Sequence, residues 1–315
     1  MTAQRNRIGA SDLDVFPLAL GGNVFGWTAD TAESFNVLDS YAEAGGNFVD
    51  TADSYSFWAP GNEGGESELI LGQWMKSRGN RSDIVVATKV SQHPRYRGMA
   101  PSTVAAGAEA SLSRLNIDVI DLYYAHFDDS DSPLEESAAA MSALVDQGKV
   151  RYIGISNYSP ERIRRWLDIC RENGLHSPVA LQPQYSLMER GIEYDLLPLA
   201  EQAKLGVMPY YSLARGFLTG KYRSGEPVNS PRAGAAQAYL DGRGEKVMDA
   251  LETVSRAHGV APATVALAWL AAQPTVTAPI ASARNLEQLT ALVAHADLRL
   301  FPEELALLDD ASRLH

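Results

Sequence analysis

The sequence predicts an α/β protein built as a closed (β/α)8 TIM barrel with an N-terminal β-hairpin cap and extra C-terminal helices, one barrel domain over residues 1–315. Three observations point to it. Eight short apolar runs alternate with helical patterns, the rhythm of a parallel sheet. The runs are near-continuously apolar rather than alternating, as in strands buried on both faces. Runs starting at Leu18, Phe48, Ile84, Asp121, Tyr152, Ala180 and Val207 stand about 27 to 37 residues apart, and only the last interval, to Thr277, is longer. A doubly wound open sheet would want a Gly-x-Gly-x-x-Gly turn after its first strand, and Gly21-Gly22-Asn23 does not continue that way.

Arg7 to Val15, with turn-prone Gly9, Ser11 and Asp12 between apolar positions, reads as the opening hairpin. Leu18 to Gly22 is the first strand and Thr31 to Ala44 the first helix. Phe48 and Val49 form strand two, ending in Asp50, with a helix from about Gly65 to Lys76. Ile84 to Val90 is strand three, with a helix from about Ser102 to Leu115. Asp121 to His126 is strand four. Its helix is announced by Ser132 as cap, Pro133 in the first turn and Glu135 as capping-box acid, repeats through Leu134, Ala138, Met141 and Val145, and stops at Gly148. Strands five to eight are Tyr152 to Ser156, Ala180 to Gln182, Val207 to Tyr210 and about Thr277 to Ala281. The long last interval holds a Gly/Pro/Ser-rich segment, Arg223 to Gly244, and an extra helix pair. Asn285 and Gln288 are spaced like a cap on a helix starting near Leu286, and Phe301 to Leu314 reads as a terminal helix packed outside.

With 45% hydrophobic and 21% charged residues the chain reads as a soluble globular protein with a sizeable core. A net charge of -12, without a dense basic run, argues against a nucleic-acid surface, so an anionic ligand would need a local basic pocket. The single cysteine, Cys170, allows no intrachain disulfide and fits a reducing, cytoplasmic setting; it shares a helical face with Ile163, Trp166 and Leu167, as a packing residue does. Met1 to Asp14 lacks the apolar core of a secretory signal, and Val260 to Ala272, followed by Pro274, is too short to cross a membrane. No membrane partner is expected, and the oligomeric state is not legible.

Polar residues at strand ends converge on the carboxyl-terminal rim, where parallel barrels collect catalytic groups. Asp50 ends strand two, Tyr55 follows five residues later, Lys89 lies at the end of strand three and His126 ends strand four. A tyrosine titrates near pH ~10, so acid chemistry at neutral pH needs a neighbouring cation. A lysine inside an apolar strand needs a partner in turn. Lys89 meets the first need and Asp50 the second. Singly, Lys89 also reads as a structural ion pair and His126 as a satisfied core histidine; with the phenol beside them they read as a proton-transfer site. His93, His176, His258, His295 and His315 show no metal-ligand spacing, and Asp128, Asp129 and Asp131 lack the glycine and glutamate of a calcium loop and read as a solvated loop.

The chain resembles the aldo-keto reductase family from Arg7 to about Leu308, through Gly46 to Tyr55 (GNFVDTADSY), Val85 to Val90 (VVATKV), Asp121 to His126 (DLYYAH), Gly154 to Tyr158 (GISNY) and Pro209 to Tyr222 (PYYSLARGFLTGKY). The resemblance implies a catalytic tetrad of Asp50, Tyr55, Lys89 and His126, with reduced nicotinamide cofactor giving hydride to a carbonyl carbon and Tyr55 giving the proton. It also implies cofactor contacts at Gly22 and Asn23, at Ser156, Asn157 and Gln182 for the carboxamide, and at Tyr210 for the nicotinamide ring, although Tyr210 alone reads equally as a core aromatic. Leu213, Arg215, Gly216, Thr219 and Lys221 fall in the pyrophosphate loop, and Tyr211 and Ser212 before it are also expected to bind cofactor. Ser282, Arg284 and Gln288 match the adenosine end, where a guanidinium at a helix start suits a 2′-phosphate and favours NADP over NAD; Arg284 also reads as an exposed arginine.

The chain departs from the family pattern with Tyr211 where Ser is frequent, Ser282 for Gly and Leu292 for an adenine-contacting Asn. Phe25, Trp27, Trp58 and Phe127 are expected to line a substrate mouth that admits aldehydes, ketones and sugars alike. The expected activity is NADPH-dependent reduction of a small-molecule carbonyl. Alternatives are a redox-sensing regulatory subunit like the potassium-channel β subunits of this family, against which Met1 to Arg7 is short for a tether, and a sugar or polyol dehydrogenase or keto-sugar reductase. Arg223 to Gly244 is expected to be mobile until cofactor binds.

Overall fold

The computed structural model describes residues 5–222 and 233–314. It opens with the hairpin β1 (Asn6–Arg7) and β2 (Asp14–Val15), paired antiparallel. The parallel sheet then runs through β3 (Ala19–Gly21), β4 (Phe48–Asp50) and β5 (Val85–Val90). A small hairpin, β6 (Gln92–His93) and β7 (Tyr96–Arg97), intervenes. The sheet resumes with β8 (Ile120–Ala125), β9 (Val150–Ser156), β10 (Ala180–Gln182), β11 (Gly206–Val207) and β12 (Ile280–Ala281). Successive strands are neighbours, and β12 returns beside β3 with Ile280 opposite Ala19. Backbone bonds close the ring: Val207 donates to Thr275 O (3.0 Å), Thr277 to Val207 O (2.8 Å) and Ile280 to Pro209 O (2.9 Å). The sheet is therefore a closed (β/α)8 barrel. Its seventh and eighth strands are shorter than their apolar patterns because that part of the wall pairs through single bridges, Gln184 with Tyr210 and Val207 with Val276.

Burial divides into two layers, as a barrel wall requires. Inside, Ala19, Phe48, Ala87, Leu122, Tyr124, Ala180, Met208 and Ile280 pack with Ile8, Leu13 and Val15 of the opening hairpin, which closes the lower mouth. Gly9 shows how tightly: with φ +48° it lies so close to Val179 O and Lys204 O that a Cβ would stand 2.2 and 2.6 Å from them. Outside, strand side chains such as Val49, Val86 and Tyr123 meet the helices.

The helices are α1 (Thr31–Glu43), α2 (Glu66–Arg78), α3 (Pro101–Leu115), α4 (Leu134–Asp146), α5 (Pro160–Asn173), α6 (Leu196–Ala203), α7 (Ala233–Gln237), α8 (Gly242–His258), α9 (Pro262–Ala271), α10 (Leu286–Val293) and α11 (Pro302–Ser312). α1 starts on a reciprocal capping box, with Asp30 accepting from Glu33 N and Glu33 from Asp30 N. α4 does not start as its sequence suggests: Pro133 occupies the cap position, while the Ser132 hydroxyl donates back to Asp129 Oδ2 (2.7 Å) and Glu135 reaches Arg165. The short acidic loop is likewise organised, with Arg162 gripping both oxygens of Asp128 at 2.7 Å. α9 is buried on all sides over residues 263–270, which accounts for its unbroken apolar run, and no described helix is long and apolar enough to cross a membrane. Cys170 is buried on α5. Residues 223–232 of the Gly/Pro/Ser-rich segment, on which the expectation of mobility falls, lie outside the described residues.

Candidate active site

β4 and β5 pair in register, Asp50 opposite Ala87, which brings the Asp50 carboxylate beside the Lys89 side chain. Lys89 is fully buried, and its ammonium has three acceptors: Asp50 Oδ2 at 2.6 Å, Thr51 O at 2.7 Å and Tyr55 Oη at 2.9 Å. Three donors meeting three acceptors is the hydrogen bonding of an ammonium, since a neutral amine has only two N–H groups. Burial pulls its pKa down and Asp50 pulls it back up. Asp50 is fixed from its other side by Gln182 Nε2 on β10, which donates to Oδ1 at 2.8 Å. Lys89 Nζ also lies 4.7 Å from the Tyr55 ring centre. The Tyr55 hydroxyl thus accepts from the Lys89 ammonium and itself donates to Asp50 Oδ2 at 3.4 Å, which places a cation against the phenol oxygen.

His126 follows the end of β8, its ring edge-on to Tyr55 with centres 6.3 Å apart. Burial first, and the Lys89 charge second, push its pKa well below the usual histidine value, so the ring is neutral at pH 7. Its Nδ1 is buried without a hydrogen bond among the described residues, which favours the tautomer with the proton on Nε2, because an idle acceptor costs less than an idle donor. Asn157, at a left-handed φ of +58°, ties this corner together: its Nδ2 donates to His126 O (2.9 Å) and Ser156 Oγ (3.0 Å), and its Oδ1 accepts from the Tyr210 hydroxyl (2.8 Å).

A cavity of about 980 Å³ joins these groups to the opposite half of the rim. Its wall brings together Asp50, Tyr55, His126, Asn23, Ser156, Asn157, Gln182, Tyr210, Tyr211, Ser212, Leu213, Arg215, Gly216, Thr219, Lys221, Ser282, Arg284 and Gln288, with Trp27 and Phe127 at the mouth. Lys89 sits beneath, reaching it through Asp50 and Tyr55. Gly22 stands off the wall and holds β3 to β4, its N–H donating to Asp50 O (2.8 Å). Phe25, expected at the mouth, is instead fully buried in the core, because the loop after β3 turns its ring inward. Trp58 is 42% exposed at the rim, its ring meeting Tyr55 and Trp27 at 6.2 and 5.6 Å.

The turn after β11 carries consecutive left-handed residues, Ala214 (φ +47°), Arg215 (φ +59°) and Gly216 (φ +100°), and the Arg215 guanidinium stacks 4.2 Å above the Tyr211 ring. Arg284 N donates to Gln288 Oε1 (3.0 Å) while Gln288 N donates to Asn285 Oδ1 (3.0 Å), so the start of α10 is capped and its guanidinium-bearing loop is fixed. The cavity wall carries Tyr55, bonded from beneath by the Lys89 ammonium, together with Arg215, Lys221 and Arg284, so a chain of charge -12 still has local cations suited to an anionic ligand such as a dinucleotide. Sequence reasoning missed Gln184, Thr264 and Glu287 on the same wall. Gln184 sits only two residues past Gln182 and could have been read from that spacing, whereas Thr264 arrives on the first turn of α9, which no local motif marks. No group of residues suited to hold a metal ion occurs among the described residues.

A model of the aldo/keto reductase family matches residues 17–313. A probable voltage-gated potassium channel subunit beta of Oryza sativa subsp. japonica is 34% identical over 299 residues, covering 91% of this chain and 89% of its own length. The norsolorinic acid reductase of Aspergillus flavus is 31% identical over 314 residues, covering 94% of this chain and 78% of its own. The aldo-keto reductase str7 of Strobilurus tenacellus is 33% identical over 309 residues, covering 96% and 87%.

Proposed function

The chain belongs to the aldo/keto reductase family, and from that premise we propose that it reduces an aldehyde or ketone to the alcohol with NADPH, Tyr55 acting as general acid. The observation that carries the reading is the buried Lys89 ammonium held between Asp50 and the Tyr55 oxygen, at 2.6 and 2.9 Å. The nicotinamide cofactor, when bound, supplies the hydride. Tyr55 passes its proton to the substrate oxygen, and Lys89 steadies the phenolate left behind. Asp50, anchored by Gln182, keeps Lys89 aimed. His126, neutral, hydrogen-bonds the same oxygen. Ser156, Asn157, Gln182 and Tyr210 would hold the nicotinamide end, Arg215, Gly216 and Lys221 the pyrophosphate, and Arg284 with Gln288 a 2′-phosphate.

A positioned acid of this kind is worth ~10² to 10⁴ in rate. The test is steady-state NADPH oxidation with a panel of reactive aldehydes and ketones, comparing parent and Tyr55→Phe. Turnover that collapses by that factor in the variant supports the proposal; equal turnover in both rejects Tyr55 as the acid. A second reading takes its support from the rice relative's name: a cofactor-binding regulatory subunit. Tight NADPH binding with no turnover across the panel would favour it. Oxidation of a sugar or polyol, or reduction of a keto sugar, is separated by the same screen run in both directions. The unit that acts is taken to be the whole barrel, in the cytoplasm.

A further inference from the structure

A second buried polar cluster lies behind the Tyr55 loop. Glu68 on α2 is fully buried and paired with Arg114 of α3, whose Nε donates at 2.6 Å, and it accepts from the Thr88 hydroxyl of β5 at 2.5 Å. Beside it Asp53 is also fully buried, and neither of its carboxyl oxygens has a hydrogen-bond partner among the described residues. Three acids therefore share this region with two cations. Lys89 is paired with Asp50 and Arg114 with Glu68, which leaves Asp53 without an ion-pair partner of its own among the described residues. His93, packed over Gly64, brings none: its Nδ1 accepts from Arg95 N (3.1 Å), and burial with the nearby Arg114 charge holds its pKa down. The Tyr123 hydroxyl of β8, which also faces the cluster, is buried and un-ionised. An unpaired carboxylate in such a place takes up a proton rather than bear the desolvation.

We infer that Asp53 is a neutral, protonated carboxylic acid in the folded protein and a positioning residue for Tyr55, its neutrality letting the loop that carries Tyr55 lie down along the Lys89 strand. That loop is an extension of the sheet: Thr51 N donates to Ala87 O (2.8 Å) and Asp53 N to Lys89 O (3.3 Å), and Tyr55 follows two residues later. An ionised Asp53 would draw water or leave its site, and the loop would lift off Lys89 with it. Burial and the Glu68 charge drive the Asp53 carboxyl well above the usual range; Arg114 and the adjacent Ser54 offset this in part, Ser54 without reaching hydrogen-bonding geometry. The positioning half of the inference rests on the reductase reading above; the protonation half does not.

Asp53→Asn copies the neutral acid in size and polarity, so urea unfolding of parent and variant across about pH 5 to 9 tests protonation directly. The folded parent keeps a proton that the unfolded chain has lost, so raising the pH favours its unfolding. The folding constant of the parent relative to Asp53→Asn is expected to fall about tenfold per pH unit above the ordinary carboxyl range, until Asp53 itself ionises in the fold. A ratio independent of pH overturns the inference, and so does the same slope appearing for Glu68→Gln but not for Asp53→Asn. Should Asp53→Asn not fold, infrared spectra of the parent with carbon-13 aspartate decide: a protonated-carboxyl band that shifts on labelling is expected, and its absence overturns the inference. For the positioning role, the alkaline limb of NADPH oxidation should move to higher pH in Asp53→Asn, and an unmoved limb removes that role. A chain without reductase activity would sink the reductase reading and the positioning role with it, while the unfolding ratio still decides the protonation.

Discussion

Lys89 is the residue on which the polar core of the site turns. Its three hydrogen bonds replace those it would make to water, and only with Asp50 in place is the charge tolerable at full burial. Removing one partner of a buried pair typically costs ~3–5 kcal/mol, because the other charge is left unpaired. Asp50→Asn is accordingly expected to lower unfolding free energy by about that much and to cut turnover steeply; a variant as stable as the parent in urea would show that the pair is not what holds Lys89. His126 gives a prediction of opposite pH sense to that of a raised carboxyl. Its folded pKa is depressed, so the unfolded chain takes up a proton first as pH falls. Relative to His126→Gln, the parent should keep its full stability above pH ~6.5 and lose up to about tenfold in folding constant per unit below it. Urea titrations at several acid pH values check this, and a ratio that stays flat would mean the ring is already charged in the fold.

At the scale of elements, the start of α10 is where helix stability would meet the cofactor binding proposed above. Asn285 caps it through Gln288 N, and Gln288 in turn holds Arg284 N, so one side chain fixes the loop that presents the guanidinium. Asn285→Ala is expected to cost about 1 kcal/mol and also to weaken NADPH binding, read by thermal unfolding and by fluorescence titration. Loss of stability with unchanged binding would separate the cap from the site. This cap was legible in the sequence because its spacing is local and Asn285 is exposed. The start of α4 was not. Ser132 has the right identity, but its hydroxyl goes to a carboxylate, Asp129, and Pro133 takes the cap position. The β6 and β7 hairpin was invisible because two-residue strands have no periodicity to read. Phe25 was misplaced because a loop aromatic faces inward or outward according to what surrounds it.

Across the whole molecule, a charge of -12 would oppose the anionic dinucleotide proposed above, and Arg215, Lys221 and Arg284 on the cavity wall supply positive charge locally. If Arg284 holds the 2′-phosphate as proposed, Arg284→Ala should weaken NADPH binding much more than NADH binding, and added salt should do the same by screening that contact. Equal losses for the two cofactors would remove the phosphate role from Arg284.

The sequence alone determined the eight-unit alternation, the parallel buried strands and the chemical types at the strand ends. Those depend on period and composition, which each segment expresses for itself. That Lys89 stands between Asp50 and Tyr55, that Gln182 reaches across the barrel to Asp50 over a separation of 132 residues, and that Asp53 is left without a hydrogen-bond partner among the described residues were decided only when the ring closed. Register, burial and charge matching are properties of neighbours in space, and a barrel makes its decisive neighbours out of residues far apart in the chain.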